Sequence, residues 1–340
     1  MKKLVFALAL VCTLPILFGT QDAWALDTTC QDDTDNDVLL RDTELYISDA
    51  SGVMHKMEQS DGSSCVLGLM SYTDLAGNAQ TARCTDVALD QTNQILYCVD
   101  DNGAKNPEQS QCYTINRNTA AATALGSINL AGVQTNNLNS FEIGPFGGAW
   151  VASDTGFIYD IDPTNCNLSN RVTLSTGVTN PVRASGDLVF DVQGNNHLFL
   201  TSFDCDNCAL ACVDGGGNAV QCNGLYKIAI IGKTVQFISD TGFLDVFAGD
   251  WVKDTNNLCF ATQGKELFML DPINGVQQGA TLGTAVAAFG GTALVFTAGA
   301  EILIDQTALL LAAMQSSTNW IIPVMLAGLG LAAFVLARKF

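Results

Sequence analysis

From about residue 37 to residue 305 the chain repeats a short alternation of apolar and polar positions that closes on Asp or Asn, often with Pro. It reads Cys112-Tyr113-Thr114-Ile115-Asn116, then Ile158-Tyr159-Asp160-Ile161-Asp162-Pro163. It returns as Leu225-Tyr226-Lys227-Ile228 and as Leu267-Phe268-Met269-Leu270-Asp271-Pro272, with weaker copies at 53–57 and 302–305. A period of two places successive side chains on opposite faces of an extended strand, and the Asp-Pro or Asn endings mark turns. A second apolar strand precedes each copy, at 45–49, 95–99, 149–152, 197–200, 258–261 and 293–296. In four units a further strand precedes that one, with carboxylates bracketing apolar residues: 37–42, 86–90, 187–191 and 250–254. Glu142-Ile143 holds the corresponding place in the third unit, without the pair. A fourth strand follows most units, at 65–69, 122–125, 171–174, 234–238 and 279–282.

Six units of four strands predict an all-β fold, a β-propeller of six four-stranded blades over residues 37–312. One such sheet cannot cover both of its faces, whereas sheets packed around an axis cover one another. Almost no amphipathic helical pattern interrupts residues 37–305. The sixth unit lacks an obvious outer strand, so either residues 308–312 supply it or strands from both ends of the domain share a blade. The units resemble the NHL and YVTN classes of propeller, in which an apolar-Tyr-x-Ile-Asp-Pro strand recurs once per blade. That resemblance implies the fold rather than an activity.

The two ends carry a different pattern. Met1-Lys2-Lys3, an apolar run and Ala23-Trp24-Ala25 have the three parts of a secretory signal, which predicts cleavage after Ala25. Residues 26–36 read as an acidic linker and 313–319 as a second linker. Residues 320–337 run from Trp320 through an apolar stretch to a basic tail, Arg338-Lys339-Phe340. A stretch of this length is at the short end for a membrane-spanning helix, and the two cations place residues 338–340 in the cytoplasm. The layout also resembles the C-terminal sorting tails of exosortase and archaeosortase substrates, although no Pro-Glu-Pro motif is present. If the resemblance holds, the helix is removed during sorting and the body passes to a surface polymer. The expected localisation is therefore the cell surface or the extracytoplasmic face of the membrane.

Charge narrows the partners. The formal net charge is −19. Loss of Lys2, Lys3 and Asp22 with the signal takes it to −20, and leaving Arg338 and Lys339 behind the membrane takes the exported part to −22. Such a body repels nucleic acid and attracts cations. Eleven of the 12 cysteines follow the cleavage site. In an exported chain they read as disulfides, and the odd number leaves at least one unpaired within the chain. Cys98 and Cys112 are expected to pair because their strands are neighbours. Cys205, Cys208, Cys212 and Cys222 are expected to staple a long loop with two local disulfides; their spacing also suits zinc, which the oxidising compartment disfavours.

The search for chemistry yields little. The only histidines, His55 and His197, fall in different units, and no nucleophile elbow or phosphate-binding loop is present. Asp86, Glu142, Asp187 and Asp250 lie at or near the starts of the innermost strands in four successive units. Inward-facing oxygen ligands of this kind suit Ca²⁺; the alternative is that they cap turns. Six-bladed lactonases carry a calcium ion in such a place, so that resemblance implies a calcium-dependent hydrolase. Asp33, Asp35 and Asp37 mimic the start of a calcium loop but lack its glycine and closing glutamate, and read as linker. Asn167-Leu168-Ser169 is a lone glycosylation sequon. The first expectation is a non-enzymatic, membrane-tethered propeller for surface binding, adhesion or envelope structure, with an unidentified protein or glycan partner.

Overall fold

The computed structural model describes residues 28–29 and 44–288, apart from short stretches of which 101–109 is the longest. The signal, the acidic linker apart from Thr28–Thr29, Cys208, the unit at 293–305 and the span at 320–337 all lie outside the described residues. Among the described residues no helix is long and apolar enough to cross a membrane.

Five sheets follow one another along the chain. The second, fourth and fifth have four strands each: Asp86–Asp90, Ile95–Asp100, Gln111–Ile115 and Ala122–Ser127; Ala184–Phe190, His197–Ser202, Gly224–Ala229 and Val235–Asp240; Val246–Val252, Asn257–Thr262, Glu266–Leu270 and Gln277–Gly283. The third contains Leu138–Ile143, Ala149–Ser153, Phe157–Asp162 and Asn167–Thr173, with two short strands added at its outer edge. The first contains Glu44–Ser48, Val53–Glu58 and Ser64–Leu69, with Thr28–Thr29 running parallel along its outer edge. Apart from that strand and Asn129–Leu130, which runs parallel to Asn167–Thr173 in the third sheet, neighbours within each blade pair antiparallel, in up-and-down order. The innermost strands of blades two to five pack against one another in chain order around the axis.

The central strands are apolar on both faces because each face meets a different neighbour. Leu96 and Cys98 join the cluster shared with blade one, whereas Val99 and Tyr97 join the cluster shared with blade three. Val151 faces blade two, and Trp150 and Ala152 face blade four. Strands buried on both faces read as near-continuous hydrophobic runs.

The blade number corrects the expectation of six. Leu45, Ile47 and Met57 of blade one share one core with Trp251, Phe260 and Phe268 of blade five. A Cβ on Gly62 would stand 2.8 Å from the carbonyl oxygen of Gly283, so the rims of these blades also meet. First and fifth blades thus close the ring on each other and leave no interval for a sixth. The repeat count alone had no way to register this contact.

Three disulfides lie among the described residues: Cys84–Cys98, Cys112–Cys166 and Cys212–Cys222. Cys65 and Cys205 are also disulfide-bonded. The expected Cys98–Cys112 pair does not form. Cys98 stands opposite Tyr113, and Cys112 stands opposite Val99. Adjacent strands place directly opposed residues on one face, so Cys98 and Cys112 fall on opposite faces of the sheet. Cys98 bonds to the chain entering its own blade, and Cys112 bonds across the seam to blade three. Cys259 is buried and is the free cysteine among the described residues.

Candidate functional site: the axial carboxylates and the elaborated end

A repeated set of side-chain hydrogen bonds joins successive blades near the starts of the innermost strands. Ser48 Oγ donates to the Cys84 carbonyl at 2.7 Å, and Thr85 Oγ1 to that of Leu138 at 2.9 Å. Asn139 Nδ2 donates to the Ala184 carbonyl at 2.9 Å, and Ser185 Oγ to that of Val246 at 3.1 Å. The last three acceptors are the first residues of successive innermost strands. These donors were not picked out from the sequence. For Thr85, Asn139 and Ser185 the signal was a Ser, Thr or Asn beside the start of an innermost strand, too common a residue choice to stand out.

The four carboxylates singled out from sequence occupy the same ring, and they are not turn caps. Asp86 opens its strand, whereas Glu142, Asp187 and Asp250 lie within theirs. Asp86 and Asp187 are fully buried and Asp250 nearly so, while Glu142 keeps part of its surface open. Both Asp86 oxygens accept backbone N–H bonds, Oδ1 from Val87 at 2.7 Å and Oδ2 from Phe141 in the next blade at 2.5 Å. Glu142 Oε1 accepts from Ile143 at 2.9 Å, and Asp250 Oδ1 from Trp251 at 2.5 Å. Asp187 differs: neither of its oxygens has a hydrogen-bond partner. Its Oδ2 faces the strand of blade five, 3.1 Å from where a Cβ on Gly249 would sit, beside Asp250. Glycine is needed there for a second reason, since the same Cβ would lie 2.2 Å from the Phe260 ring.

The electrostatics join these groups into one cluster. Burial pushes all four carboxyls well above the usual carboxylate range. Asp187 is raised further by Asp86, Glu142 and Asp250. Asp250 raises Glu142, and Glu142 and Asp250 both raise Asp86 against the pull of its two N–H donors. Buried like charges repel in this manner when no cation compensates them. No three His, Cys, Asp or Glu side chains among the described residues are arranged as a ready-made metal shell.

The histidines do not join this site. His55 Nε2 lies 3.3 Å from Asp49 Oδ2 in blade one, and His197 Nδ1 lies 3.9 Å from Asp191 Oδ2 in blade four. Burial, then the nearby Lys227, lowers the pKa of His197.

The two ends of the propeller are unequal. Turns from first to second strand and from third to fourth leave at one end, and none exceeds the length of 116–121 or 271–276. The opposite end carries the longer connections 70–85, 101–110, 128–137, 174–183 and 203–223. Two of them form hairpins, Ser71–Thr73 with Ala79–Thr81 and Ala211–Val213 with Ala219–Gln221. Both hairpins turn on the same device. Asp74 Oδ1 accepts from the N–H groups of Ala76 and Asn78, at 2.9 and 2.8 Å. Asp214 Oδ1 accepts from Gly216 and Asn218 at the same two distances. Gly77 and Gly217 take φ values of 85° and 80°, which glycine tolerates without strain. The shared Asp-x-x-Gly-Asn-Ala was readable in the sequence and was missed because it falls between blade repeats. Val178, Val213 and Phe203, whose ring packs edge-on against Phe247 with centroids 6.3 Å apart, are exposed at this end, as Ile231, Ile273 and Val276 are at the other.

No protein-family model and no curated protein matches the chain. Among solved structures, a chain from a nidogen/laminin complex is similar at 12% identity and a TM-score of 0.44, covering 75% of this chain and 99% of that one. A protein of unknown function from Bacteroides caccae is similar at 11% identity and a TM-score of 0.39, covering 72% of this chain and 73% of that one. The sheet order itself defines the class, an all-β propeller of five blades with disulfide cross-links.

Proposed function

We propose that this is an exported propeller held at the extracytoplasmic face of a membrane, where it binds a surface protein or glycan in adhesion or envelope structure. The observation that carries the reading is the inequality of the two ends: short turns on one, matched hairpins and long connections on the other. Loops on a rigid scaffold are where binding residues concentrate. The disulfides are compatible with an oxidising compartment outside the cytoplasm. In this reading residues 1–25 direct export and residues 320–337 tether the body, unless that segment serves as a disposable sorting signal. The test is attachment of intact cells, or of the purified full chain, to isolated envelope material. Val178→Asp with Val213→Asp should abolish attachment, whereas Ile231→Asp with Ile273→Asp at the plain end should leave it unchanged; equal effects from both pairs would sink the assignment of the binding face.

A second reading, a calcium-dependent hydrolase of lactonase type, is favoured by one observation, the gathering of four carboxylates at the axis. Asp250→Ala would then remove lactone or ester turnover, and unchanged turnover would eliminate it.

A further inference from the structure

We infer that residues 289–295 supply the innermost strand of blade one, so that chain from the C-terminal side of the propeller locks the ring. This closure holds whatever the propeller binds.

Blade one has an open place on its inner side. Its sheet ends at Glu44–Ser48, and among the described residues no strand pairs along the inner edge of that strand. Glu44–Ser48 has the character of a second strand. It closes on serine, as the second strands Ala149–Ser153 and His197–Ser202 do, and Asn257–Thr262 closes on threonine. It is also walled in. Leu45, Tyr46, Ile47 and Ser48 are 0% exposed, with Tyr46 in the core shared with blade two and Leu45 and Ile47 in the core shared with blade five. Buried backbone N–H and C=O groups are almost always paired, so this edge requires a partner strand.

The chain leaving blade five heads for that place. The crossovers out of blades three, four and five begin alike. The first residue after the outermost strand is Leu174, Thr241 or Thr284, and its N–H donates to the carbonyl just ahead of the third strand, that of Gly156, Asn223 or Lys265, at 2.9, 2.8 and 2.9 Å. Thr241 and Thr284 share a further bond, from Oγ1 to the carbonyl two residues on, Phe243 at 3.2 Å and Val286 at 2.7 Å. The first two crossovers deliver the innermost strand of the next blade, Ala184–Phe190 and Val246–Val252. Val246 follows Thr241 by five residues, and the same interval from Thr284 reaches residue 289. Val286 and Ala288 are buried in the core between blades five and one.

The sequence that follows fits an innermost strand. Those of blades four and five contain Ser185-Gly186-Asp187-Leu188-Val189 and Ala248-Gly249-Asp250-Trp251-Val252, and the chain continues as Gly290-Gly291-Thr292-Ala293-Leu294. The shared glycine has a physical reason. A Cβ on Gly186 would lie 2.5 Å from the Phe247 Cα in the next blade, and one on Gly249 would lie 2.2 Å from the Phe260 ring. The acidic position becomes Thr292, which adds no charge to an axis where Asp86, Asp187 and Asp250 are already buried. Residues 37–42 are the rival occupant. Their match to Asp86-Val87-Ala88-Leu89 would add Asp37 to those acids. They would also leave Thr43 alone for a turn that takes four residues at 91–94 and at 253–256.

The test is hydrogen exchange on the purified full chain, read by peptide mass spectrometry. Amides in 289–295 should exchange at least about 10³-fold more slowly than unstructured chain, and much more slowly than those in 37–42. A second variant locates the strand. In blade five Trp251 stands opposite Leu258. Matching Ser48 to Thr262 and Thr292 to Asp250 puts Ala293 opposite Glu44, so Ala293→Cys with Glu44→Cys should give a new disulfide between the two positions in non-reducing peptide mapping. Exchange of 289–295 at the unstructured rate would overturn the proposal, and since it is read on the parent it does not require the double variant to fold. Protection of 289–295 without the new bridge in a folded double variant would overturn it too. Protection of 37–42 with 289–295 unprotected would assign the place to the rival segment.

Discussion

The innermost and outermost strands of the same blades are built from similar lengths of chain but live under different rules. Ala184–Phe190 buries every residue, and four of the five residues of Asp86–Asp90 are buried. Asn167–Thr173 and Gln277–Gly283 are mostly exposed, with Leu168 their one buried residue. The inner strands touch their own blade and both neighbouring blades, so their side chains have no free direction. The outer strands meet their neighbouring strands along their edges and turn much of their surface to water. Polar chemistry at the axis must therefore be satisfied by neighbouring backbone or remain unsatisfied, whereas at the rim water completes it. That is why the only orphaned pair of carboxylate oxygens among the described residues lies on an inner strand.

This contrast sets an order of sensitivity. The largest effect is expected at the core beside the axis. Trp251 is 1% exposed and packs in the cluster that closes the ring between blades one and five. Trp251→Ala should cost about 3–5 kcal/mol in urea or thermal unfolding. Gly249→Ala should also be severe, because no small movement removes a Cβ from 2.2 Å off the Phe260 ring. Loss of less than about 1 kcal/mol in both would show that the ring does not close as described.

Next comes the Cys84–Cys98 disulfide, which spans 14 residues at the entry to blade two. Its replacement by two alanines should cost about 3 kcal/mol, chiefly through the freer unfolded chain. Cys112 and Cys166 should remain oxidised in that variant by non-reducing peptide mapping, because their bridge crosses a different seam.

A smaller loss is expected at one link of the hydrogen-bond ring. Thr85 Oγ1 lies within bonding distance of the carbonyls of Val99 and Leu138, at 3.1 and 2.9 Å. Thr85→Val keeps the shape and removes the donor, and should cost about 1–2 kcal/mol. The rim offers the matching case. Lys233 Nζ lies 2.7 Å from Asp160 across the seam of blades three and four, and 5.6 Å over the Trp150 ring. Lys233→Met should cost no more than about 1 kcal/mol, and less in high salt. Gln278→Ala on the outermost strand of blade five should be within about 0.5 kcal/mol of the parent. A rim variant as damaging as Thr85→Val would erase the distinction between axis and rim.

Much of this architecture was legible in advance. The strand Asp86–Asp90 begins and ends where its bracketing carboxylates stand, and the Tyr-x-Ile strands fall where the repeat puts them. The four acids were visible because their unit-by-unit spacing repeats with the strands. The inner strands Ala184–Phe190 and Val246–Val252 begin earlier than the paired carboxylates suggest. Their first residues are small or apolar and carry no turn signal, and only contact with the adjoining blade identifies them. The disulfide partners were not legible, because parity across a strand pair depends on register and not on nearness in the chain.

The sequence by itself determined that this is a chain of up-and-down blades, since period-two alternation and turn residues are local and repeat in every unit. It also determined which carboxylates recur with the innermost strands. The tertiary structure decided that five blades close the ring, because closure brings residues some 200 positions apart, such as Leu45 and Phe260, into one core. It decided too that Asp86 receives two backbone donors while Asp187 receives none. Both outcomes depend on how neighbouring blades approach the axis, and no local pattern in the chain records that approach.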